Sequence, residues 1–412
     1  MTKIILLIAI FSFSDIHSQA LPKTLTVENA ISTALKNNLE LQSQQLSVQS
    51  SSALRKSVFE LPKTEINFQY GQFNSIQKDN AFEISQTIPF PTYFTAKTRL
   101  YKAELLGSEL RQQATINLIK AQVQSNFYQL LYLQSAKKQL QSLDSLLNDF
   151  VKAAALRYKS GETNLLEKTT AETKRGQLSL LLKQNETEYA MAYNSLKVLM
   201  NTDENFEISE NETFEPLTIS NNLDTSLINN NPSIKLMYQQ AIIAEQNKRV
   251  EKSAVLPDFT VGYFNQSLIG TQMVDGEDVF FDRSKRFQGI NIGINIPLTF
   301  FSNSAKIKSL NYKQQSLLKE AESGAVVLQL QLENAFQQYN QNYSQYNYYK
   351  SIAIPNVDII INTARIGFRS GDIGYIEYTQ ALQTAIDVHL NALQSVNQLN
   401  QSVININFII NK

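Results

Sequence analysis

Two hydrophobic periodicities alternate along this chain, and each predicts a different kind of element. From Glu28 to Glu60 the chain is rich in polar residues and holds no Gly or Pro, which predicts a helix that Pro62 ends. Beyond Pro62, apolar and polar residues alternate with a period of two, which is typical of a strand with one apolar face. We therefore predict two strands, at about residues 64–75 and 80–90, with these apolar positions: Ile66, Phe68, Tyr70, Phe82, Ile84 and Ile88.

A helical period returns after the strands and continues unusually far. From Thr92 to Tyr158 apolar residues recur in steps of three and four, and a helix of that length extends about 100 Å. So long a helix buries its apolar stripe only against other long helices, as in a coiled-coil tube. Ser160-Gly161 interrupts the period and a second helix returns, so a helical hairpin is predicted at about 92–203.

The same succession of elements occurs twice. Leu61-Pro62 returns as Leu256-Pro257, and the Ser160-Gly161 break returns as Ser370-Gly371, 210 residues further on. The second copy predicts strands at about 257–269 and 287–299 and a hairpin at about 302–410. An extra segment near 270–286 separates its strands and is expected to be a solvated loop. Repetition under one geometry indicates a duplication, with a first repeat at 21–215 and a second at 216–412.

The N-terminus predicts export. Residues 1–20 combine Lys3, an apolar run from Ile4 to Phe13 and small residues before Ala20, as in a secretory signal peptide. The chain has no cysteine, and no later stretch of about 18 apolar residues predicts a membrane helix. Any membrane insertion must then use the strands. A half-buried soluble sheet has the same alternation, but export and duplication favour spanning strands, and four strands close a barrel only if several chains share it.

Charge and motifs exclude several functions. The 37 basic and 37 acidic residues balance, so no basic face predicts a nucleic-acid partner. The sequence contains no nucleophile elbow, no phosphate-binding glycine loop and no paired carboxylates, so nothing in it predicts an enzyme. Beyond the signal peptide His389 is the only histidine, so no metal site or cofactor is expected. The acidic run from Asp275 to Asp278 is interpreted as a solvated tip in preference to a calcium site.

The order and spacing of these landmarks resemble the TolC-type outer membrane factors of tripartite efflux pumps. The resemblance covers the whole mature chain and rests on three kinds of landmark. These are the Leu-Pro pairs that open the strands, the long helices, and the Ser-Gly breaks followed by Leu166-Glu167 or Ile376-Glu377. It implies a mainly helical homotrimer: a twelve-stranded barrel in the outer membrane, continuous with a twelve-helix periplasmic tunnel. Such a channel is a passive export duct that serves a periplasmic adaptor protein and an inner-membrane RND pump.

The resemblance also implies roles for particular residues. The hairpin ends are adaptor-docking candidates, although Ser-Gly also simply permits a tight turn: Tyr158, Ser160, Gly161, Glu162, Phe368, Ser370, Gly371 and Asp372. Glu377 and Gln380 are candidates for the periplasmic aperture, where the alternative for Glu377 is a solvated glutamate at a helix start. Five prolines are expected at strand–helix junctions: Pro62, Pro89, Pro91, Pro257 and Pro297.

A finer resemblance concerns the cargo. The segments 61–65, 88–91, 127–132 and 163–168 are similar to channels that accompany heavy-metal pumps, which implies heavy-metal cations as cargo. Multidrug or other small-molecule efflux and type I secretion stay open as alternatives. A structural coiled-coil envelope protein would explain the helices without the strands. A periplasmic adaptor would normally carry a small lipoyl-like domain, which the sequence does not predict.

Overall fold

The computed structural model describes residues 24–219 and 225–412, so the predicted signal peptide at 1–20 lies outside the described residues. The first repeat contains β1 (Thr24–Leu25), α1 (Val27–Asn37), α2 (Leu39–Leu54), β2 (Glu65–Gly71), β3 (Asp79–Ile88), α3 (Pro91–Lys159), α4 (Leu165–Met200) and β4 (Glu207–Ile208). The second contains α5 (Pro232–Ala254), β5 (Asp258–Ser267), β6 (Gly270–Val274), β7 (Glu277–Phe281), β8 (Arg286–Asn295), α6 (Phe300–Tyr348), α7 (Ile354–Ser370) and α8 (Tyr375–Ile410).

The single helix predicted from Glu28 to Glu60 is wrong, because Asn38 divides it. The Asn38 backbone is extended, and its side-chain oxygen accepts hydrogen bonds from the amides of Glu40 and Leu41 at 3.0 and 3.2 Å. Its side-chain nitrogen donates to the carbonyl of Leu199 at 3.0 Å. The side chain of Asn38 thus caps α2 and also bonds to the distant helix α4. These bonds take the place of the backbone hydrogen bonds of a continuous helix, so α1 ends and α2 begins.

The long helices form as predicted in the first repeat and with one interruption in the second. The helix α3 runs for 69 residues from Pro91, whose fixed φ suits a helix start. In the second repeat a π-helical turn at Tyr349–Ala353 separates α6 from α7. Pro355 follows at the start of α7, and because proline lacks the amide that a continuous helix needs there, the helix adjusts locally.

One antiparallel sheet joins the two repeats, in the order β2-β3-β5-β8. The central pairing places Ile84 opposite Tyr263, and Tyr263 opposite Ile290. Three strands are 10 residues long, whereas β2 has 7 and is shorter than predicted. Since β3 belongs to the first repeat and β5 to the second, neither repeat completes the sheet alone.

The extra segment of the second repeat is ordered as a β-hairpin. The strands β6 and β7 pair with each other, and positive φ angles at Asp275 (54°) and Gly276 (88°) form the tight turn between them. The acidic run is exposed at this turn, as expected, but the loop prediction was incomplete. The sequence suggests only a loop here because the turn residues stand out and the strands are only five residues long.

The helices lie side by side in the same order as the strands to which they connect. Contacts join α2 to α3, α3 to α5 and α5 to α6, while the return helices α4 and α8 pack against the long helices. A core under α1 includes Phe127 and Leu196, and a second core near the hairpin ends includes Phe150 and Leu382. Across residues 24–219 and 225–412, no helix combines the length and apolar character needed to cross a bilayer.

Candidate functional site

The sheet has one apolar and one polar face, as the alternation predicts. On β8 the apolar side chains of Ile290, Ile292 and Ile294 are 73, 80 and 60% exposed, although isoleucine normally lies inside. The register places this row beside Tyr263 and Phe259 of β5. An exposed apolar face of this extent indicates a surface that contacts lipid or another protein.

The opposite face of the sheet carries polar pairs that join different strands, one of which reaches across β5 from β3 to β8. Glu83 accepts a hydrogen bond from the Asn291 side chain at 3.2 Å. Thr260 lies 3.2 Å from the hydroxyl of Thr87 and accepts from the Asn295 amide at 2.9 Å. Such a face is suited to water and not to hydrocarbon.

The five junction prolines lie where the sheet meets the helices. Pro62 precedes β2, Pro257 precedes β5, and Pro297 follows β8, each in a short connection to a helix. Pro89 separates β3 from α3, and Pro91 is the first residue of α3. Because proline cannot donate a ladder hydrogen bond, these residues lie at the boundaries of strands and helices, all at the same end of the sheet.

The far end of the sheet is closed by a polar network that the sequence did not predict. Asp79 is fully buried and accepts from the Ser267 hydroxyl and the Ile269 amide, both at 3.0 Å. Ser75 donates to the other carboxylate oxygen at 2.7 Å. Arg286 donates to the carbonyl of Asn265 at 3.0 Å. The pairing of β3 with β5 brings Asp79 to Ser267 and Ile269, and the pairing of β5 with β8 brings Arg286 to Asn265. No local pattern in the sequence reveals these long-range contacts.

Both hairpin ends use a left-handed glycine. Gly161 has φ of 79°, and the Glu162 amide donates back to the Arg157 carbonyl at 2.9 Å. Gly371 has φ of 84°, and the Asp372 amide donates to the Gly367 carbonyl at 2.8 Å. This Schellman-type arrangement terminates a helix and favours glycine, so the turn alternative for Ser-Gly describes the structure.

Replacing Gly161 by alanine should destabilise the first hairpin end by about 1 kcal/mol, because its φ is unfavourable for a residue with a Cβ. The matched control is Gly176→Ala in α4, where a Cβ meets nothing within 4 Å and φ is ordinary. That change should instead stabilise its helix by about 0.5–1 kcal/mol. Hydrogen exchange of amides in α3 and α4 measures both, and equal effects of the two changes would contradict the prediction.

A buried ion pair distinguishes the first hairpin end from the second. Glu167 is 1% exposed and accepts from Arg157 at 3.1 Å and from the Thr163 hydroxyl. Its own amide donates to the Asn164 side chain at 3.1 Å. The repeat places Gly367, Ile373 and Gly374 at the positions of Arg157, Thr163 and Asn164. The second end therefore lacks every partner that buries Glu167.

Glu377 occupies the position equivalent to Glu167 but is exposed. Its carboxylate accepts from the Gly374 amide at 2.7 Å, which stabilises the start of α8. Glu377 is therefore a solvated glutamate at a helix start, as the alternative interpretation proposed, and its side chain remains exposed. Gln380 lies one turn further along α8 and is also exposed. Both aperture candidates are consequently available at the surface of the second hairpin end.

An aromatic cluster joins the two hairpin ends and was missed in the sequence. The ring centroids of Phe150, Phe368 and Tyr378 are 4.6 to 5.5 Å apart. Arg157 places its guanidinium 5.5 Å from the Phe368 ring. Phe368, a docking candidate, is therefore engaged in packing within the chain. The one sequence feature that could have indicated this contact is the spacing of Phe368 and Tyr378, which are ten residues apart on either side of the predicted turn.

Apolar side chains other than Phe368 are exposed around the hairpin ends. Tyr158 is 40% exposed and lies beneath the Lys168 ammonium, 5.6 Å from its ring centroid. Ser160, Ser370, Glu162 and Asp372 are exposed polar residues at the same turns. Larger apolar side chains flank them in the open: Leu156, Leu165, Leu166, Ile366 and Ile376. Both hairpin ends therefore leave apolar side chains exposed next to the turn.

The described part of the chain contains no cluster of side chains suited to bind a metal ion. His389 lies 3.5 Å from Asp358, a single carboxylate. Burial lowers the pKa of His389 below its usual value, and the negative charge of Asp358 opposes that shift. Within residues 24–219 and 225–412, no group of three His, Cys, Asp or Glu side chains is placed to hold a metal ion.

Solved structures with the same architecture exist at low sequence identity. The chain superposes on CusC, whose crystal structures concern transmembrane channel formation, with a TM-score of 0.78, 14% identity and coverage of 96% of this chain and 95% of that one. This chain has the fold of the TolC-type outer-membrane channels. The outer membrane protein VceC of Vibrio cholerae matches with a TM-score of 0.76 and 13% identity, covering 93 and 95%.

The match extends to other channels with similar values. The open-state MtrE outer membrane channel of Neisseria gonorrhoeae has a TM-score of 0.75 at 13% identity, covering 93% of this chain and 88% of that chain. No family model and no curated protein sequence matches this chain. The TolC-type fold expected from the order of landmarks is confirmed for the single chain.

Proposed function

We propose that three copies of this chain form an outer-membrane efflux channel, to which each copy contributes four strands. The observation that carries the proposal is the open sheet with one exposed apolar face. Within the described chain its edge strands β2 and β8 each pair on one side only. An open edge is not tolerated in lipid, so copies must pair β8 with the next β2 until the sheet closes. Three copies give the twelve strands that the resemblance implies.

The helices then continue the barrel as a tube in the periplasm. All four strands meet their helices at one end of the sheet, where the junction prolines lie. The 69 residues of α3 reach about 100 Å from that end. The polar face of the sheet would line the passage. No part of this arrangement supplies energy, so the proposed duct is passive and depends on a pump.

The proposed partners act at the hairpin ends. Exposed Leu156, Leu165 and Leu166 at the first end and Ile366 and Ile376 at the second support docking of a periplasmic adaptor protein. The adaptor would connect the duct to an inner-membrane RND pump. Tyr158 remains a contact candidate because it is partly exposed, whereas Phe368 would act by holding the two ends together.

The absence of natural cysteine makes the trimer directly testable. Asn67→Cys on β2 would be combined in turn with Gly289→Cys, Asn291→Cys or Gly293→Cys on β8, all on the polar face. Oxidation should give a ladder that ends at a covalent trimer in the outer-membrane fraction for at least one register. Asn67→Cys alone is the control and should give none. A soluble periplasmic monomer would overturn the proposal in favour of a structural envelope protein.

We further propose heavy-metal cations as the cargo, which the similarity of residues 61–65, 88–91, 127–132 and 163–168 to heavy-metal channels supports. The test compares a strain that lacks the gene with the same strain complemented by it. Deletion should lower tolerance to copper, zinc or cobalt and complementation should restore it. Sensitivity to hydrophobic drugs alone would overturn the metal cargo and leave the channel itself intact.

Glu377 is proposed to control the periplasmic aperture. If three copies converge, Glu377→Gln should raise single-channel conductance in planar bilayers, because cations held at the carboxylate ring no longer obstruct the passage. Glutamine keeps an acceptor for the Gly374 amide, so the start of α8 is preserved. Glu162→Gln removes an equal charge from the first hairpin end and should leave conductance unchanged. Equal effects of both variants would argue against an aperture role.

A further inference from the structure

Phe264 is an aromatic residue on the polar face of the sheet. The strand register places Phe264 opposite Glu83 of β3 on one side and Gly289 of β8 on the other. Asn67 of β2 lies opposite Glu83, so the four residues form one row across the four strands. Phenylalanine usually lies inside a protein, whereas Phe264 is only partly buried. Its ring therefore offers an apolar surface within a mainly polar face.

Gly289 provides the space that the Phe264 ring occupies. A Cβ on Gly289 would lie 2.7 Å from Cε1 and 2.8 Å from Cζ of Phe264, which is too close for two carbon atoms. Gly293 is on the same strand and face, but a Cβ there would meet only the Cβ of Thr260, at an ordinary 3.7 Å. The position of the ring therefore depends on the glycine at 289 and not on glycine elsewhere in β8.

Glu83 and Phe264 line the same cavity, which has a volume of about 300 Å³. Uncharged amide side chains form most of the remaining lining: Asn67, Gln69, Gln266 and Asn291. No basic residue is among the residues that line this cavity in the described chain. The volume is at the lower limit of pockets that hold small molecules. The cavity therefore combines one carboxylate, one aromatic ring and several amides.

The carboxylate of Glu83 has no counterion. Within residues 24–219 and 225–412 it forms no ion pair with a basic residue. One of its oxygens accepts from the Asn291 side chain at 3.2 Å. The other oxygen accepts no hydrogen bond from the residues that the structure describes. The cavity therefore keeps an uncompensated negative charge and an available acceptor, which favours a cationic ligand.

The whole polar face of the sheet has the same sign of charge. Alternate residues of a strand share one face, so the register assigns four acidic residues to the polar face: Glu65, Asp79, Glu83 and Asp258. The described positions of β2, β3, β5 and β8 on this face include no Lys, Arg or His. A surface with acids and no bases attracts cations from solution. Cations should therefore accumulate near the cavity.

We propose that Glu83 and Phe264 form a binding site for a small organic ammonium ion. The carboxylate compensates the positive charge, and the ring contacts the alkyl groups that carry it, as aromatic rings do in sites for quaternary ammonium groups. A hydrated metal ion would use the carboxylate but gain nothing from a phenyl ring, because metals take oxygen, nitrogen or sulfur ligands. An uncharged apolar molecule would leave Glu83 uncompensated. The site is built within one chain, and its place on an export path rests on the proposed function.

Saturation-transfer NMR of the full chain, purified in detergent, tests the site. The probes are tetramethylammonium and tert-butanol, which have similar shapes, although only the first is charged. Tetramethylammonium should bind about tenfold more tightly. Glu83→Gln should remove that preference, and Phe264→Leu should weaken tetramethylammonium about fivefold with little effect on tert-butanol. Equal affinities for the two probes, or complete displacement of tetramethylammonium by an equal concentration of Mg²⁺, would overturn the inference.

Two matched controls accompany these variants. Glu65→Gln removes the same charge from the same face, outside the lining of the cavity, and should keep the preference for tetramethylammonium. Equal losses in Glu65→Gln and Glu83→Gln would indicate a general charge effect and contradict a site. Gly289→Ala should displace the ring and weaken tetramethylammonium, whereas Gly293→Ala should not. Equal effects of the two alanine changes would contradict a role for the ring position.

Conductance of the same preparations in planar bilayers separates this inference from the proposed function. A protein that conducts but does not prefer tetramethylammonium contradicts only the cation site. A protein that prefers tetramethylammonium but does not conduct contradicts only the channel, because the residues of the site all belong to one chain.

Discussion

Ile292→Arg is expected to prevent assembly of the chain in the membrane. Ile292 is 80% exposed in the middle of β8, in the row that includes Ile290 and Ile294. An arginine on the lipid face near the bilayer midplane costs about 2–4 kcal/mol for each copy, and three copies carry it. Fractionation and heat-modifiable migration should show loss of the outer-membrane trimer, with the protein degraded or left in the periplasm.

The neighbouring residue provides the control for this change. Asn291 has the same strand and depth but lies on the polar face, where its side chain donates to Glu83 at 3.2 Å. Asn291→Arg should assemble normally, because the new charge faces water and an existing carboxylate. If both variants assemble equally well, the exposed isoleucine row does not contact lipid, and the soluble half-buried sheet becomes the better interpretation.

The faces of the sheet were predictable because alternation is a local property. Ile290, Ile292 and Ile294 sit two apart in the sequence, and the backbone of a strand places them on one side whatever the rest of the chain does. The closing network around Asp79 was not predictable. Its partners Ser267 and Ile269 are nearly two hundred residues away and meet it only through the register of β3 with β5. Pairing, in contrast to alternation, depends on the whole fold.

The same distinction separates the helix errors. Proline and glycine signals located both ends of α3 and the C-terminal end of α7, because these residues restrict or free the local backbone. Asn38 gave no comparable signal, since asparagine in a polar stretch fits a helix surface as well as a cap. What distinguishes Asn38 is the hydrogen bond that its side-chain amide donates to the carbonyl of Leu199, a residue far away in the sequence. Tertiary contact thus overrides the local preference for one helix.

The two hairpin ends show how far a duplication can guide the prediction of a site. The repeat correctly aligned Gly161 with Gly371, and it aligns Glu167 with Glu377, but these two glutamates have opposite exposures. The buried carboxylate of Glu167 pairs with Arg157, and the second repeat has Gly367 at the position of Arg157. Equivalent residues therefore diverge when a partner changes: of these two glutamates, only Glu377 has an exposed side chain.

Phe150→Ala is expected to loosen the connection between the two hairpin ends. Phe150 is 2% exposed and contacts Phe368 and Tyr378 with ring centroids 5.5 and 5.2 Å away. Truncating a buried phenylalanine costs about 3–5 kcal/mol, including the cavity that remains. The amides of α7 and of the first turns of α8 should exchange faster by a corresponding factor, because this cluster attaches them to α3.

Three further substitutions determine whether the aromatic cluster itself is responsible. Leu156→Ala, on the same helix at 69% exposure, should change stability by less than about 0.5 kcal/mol. Phe150→Leu keeps most of the apolar volume and should cost less than alanine. A double-mutant cycle with Phe368→Ala should give a coupling energy of about 0.5–1.5 kcal/mol. Additive effects would mean that the two rings stabilise their helices separately and do not link the hairpins, so an adaptor bound at one end would not act on the other through them.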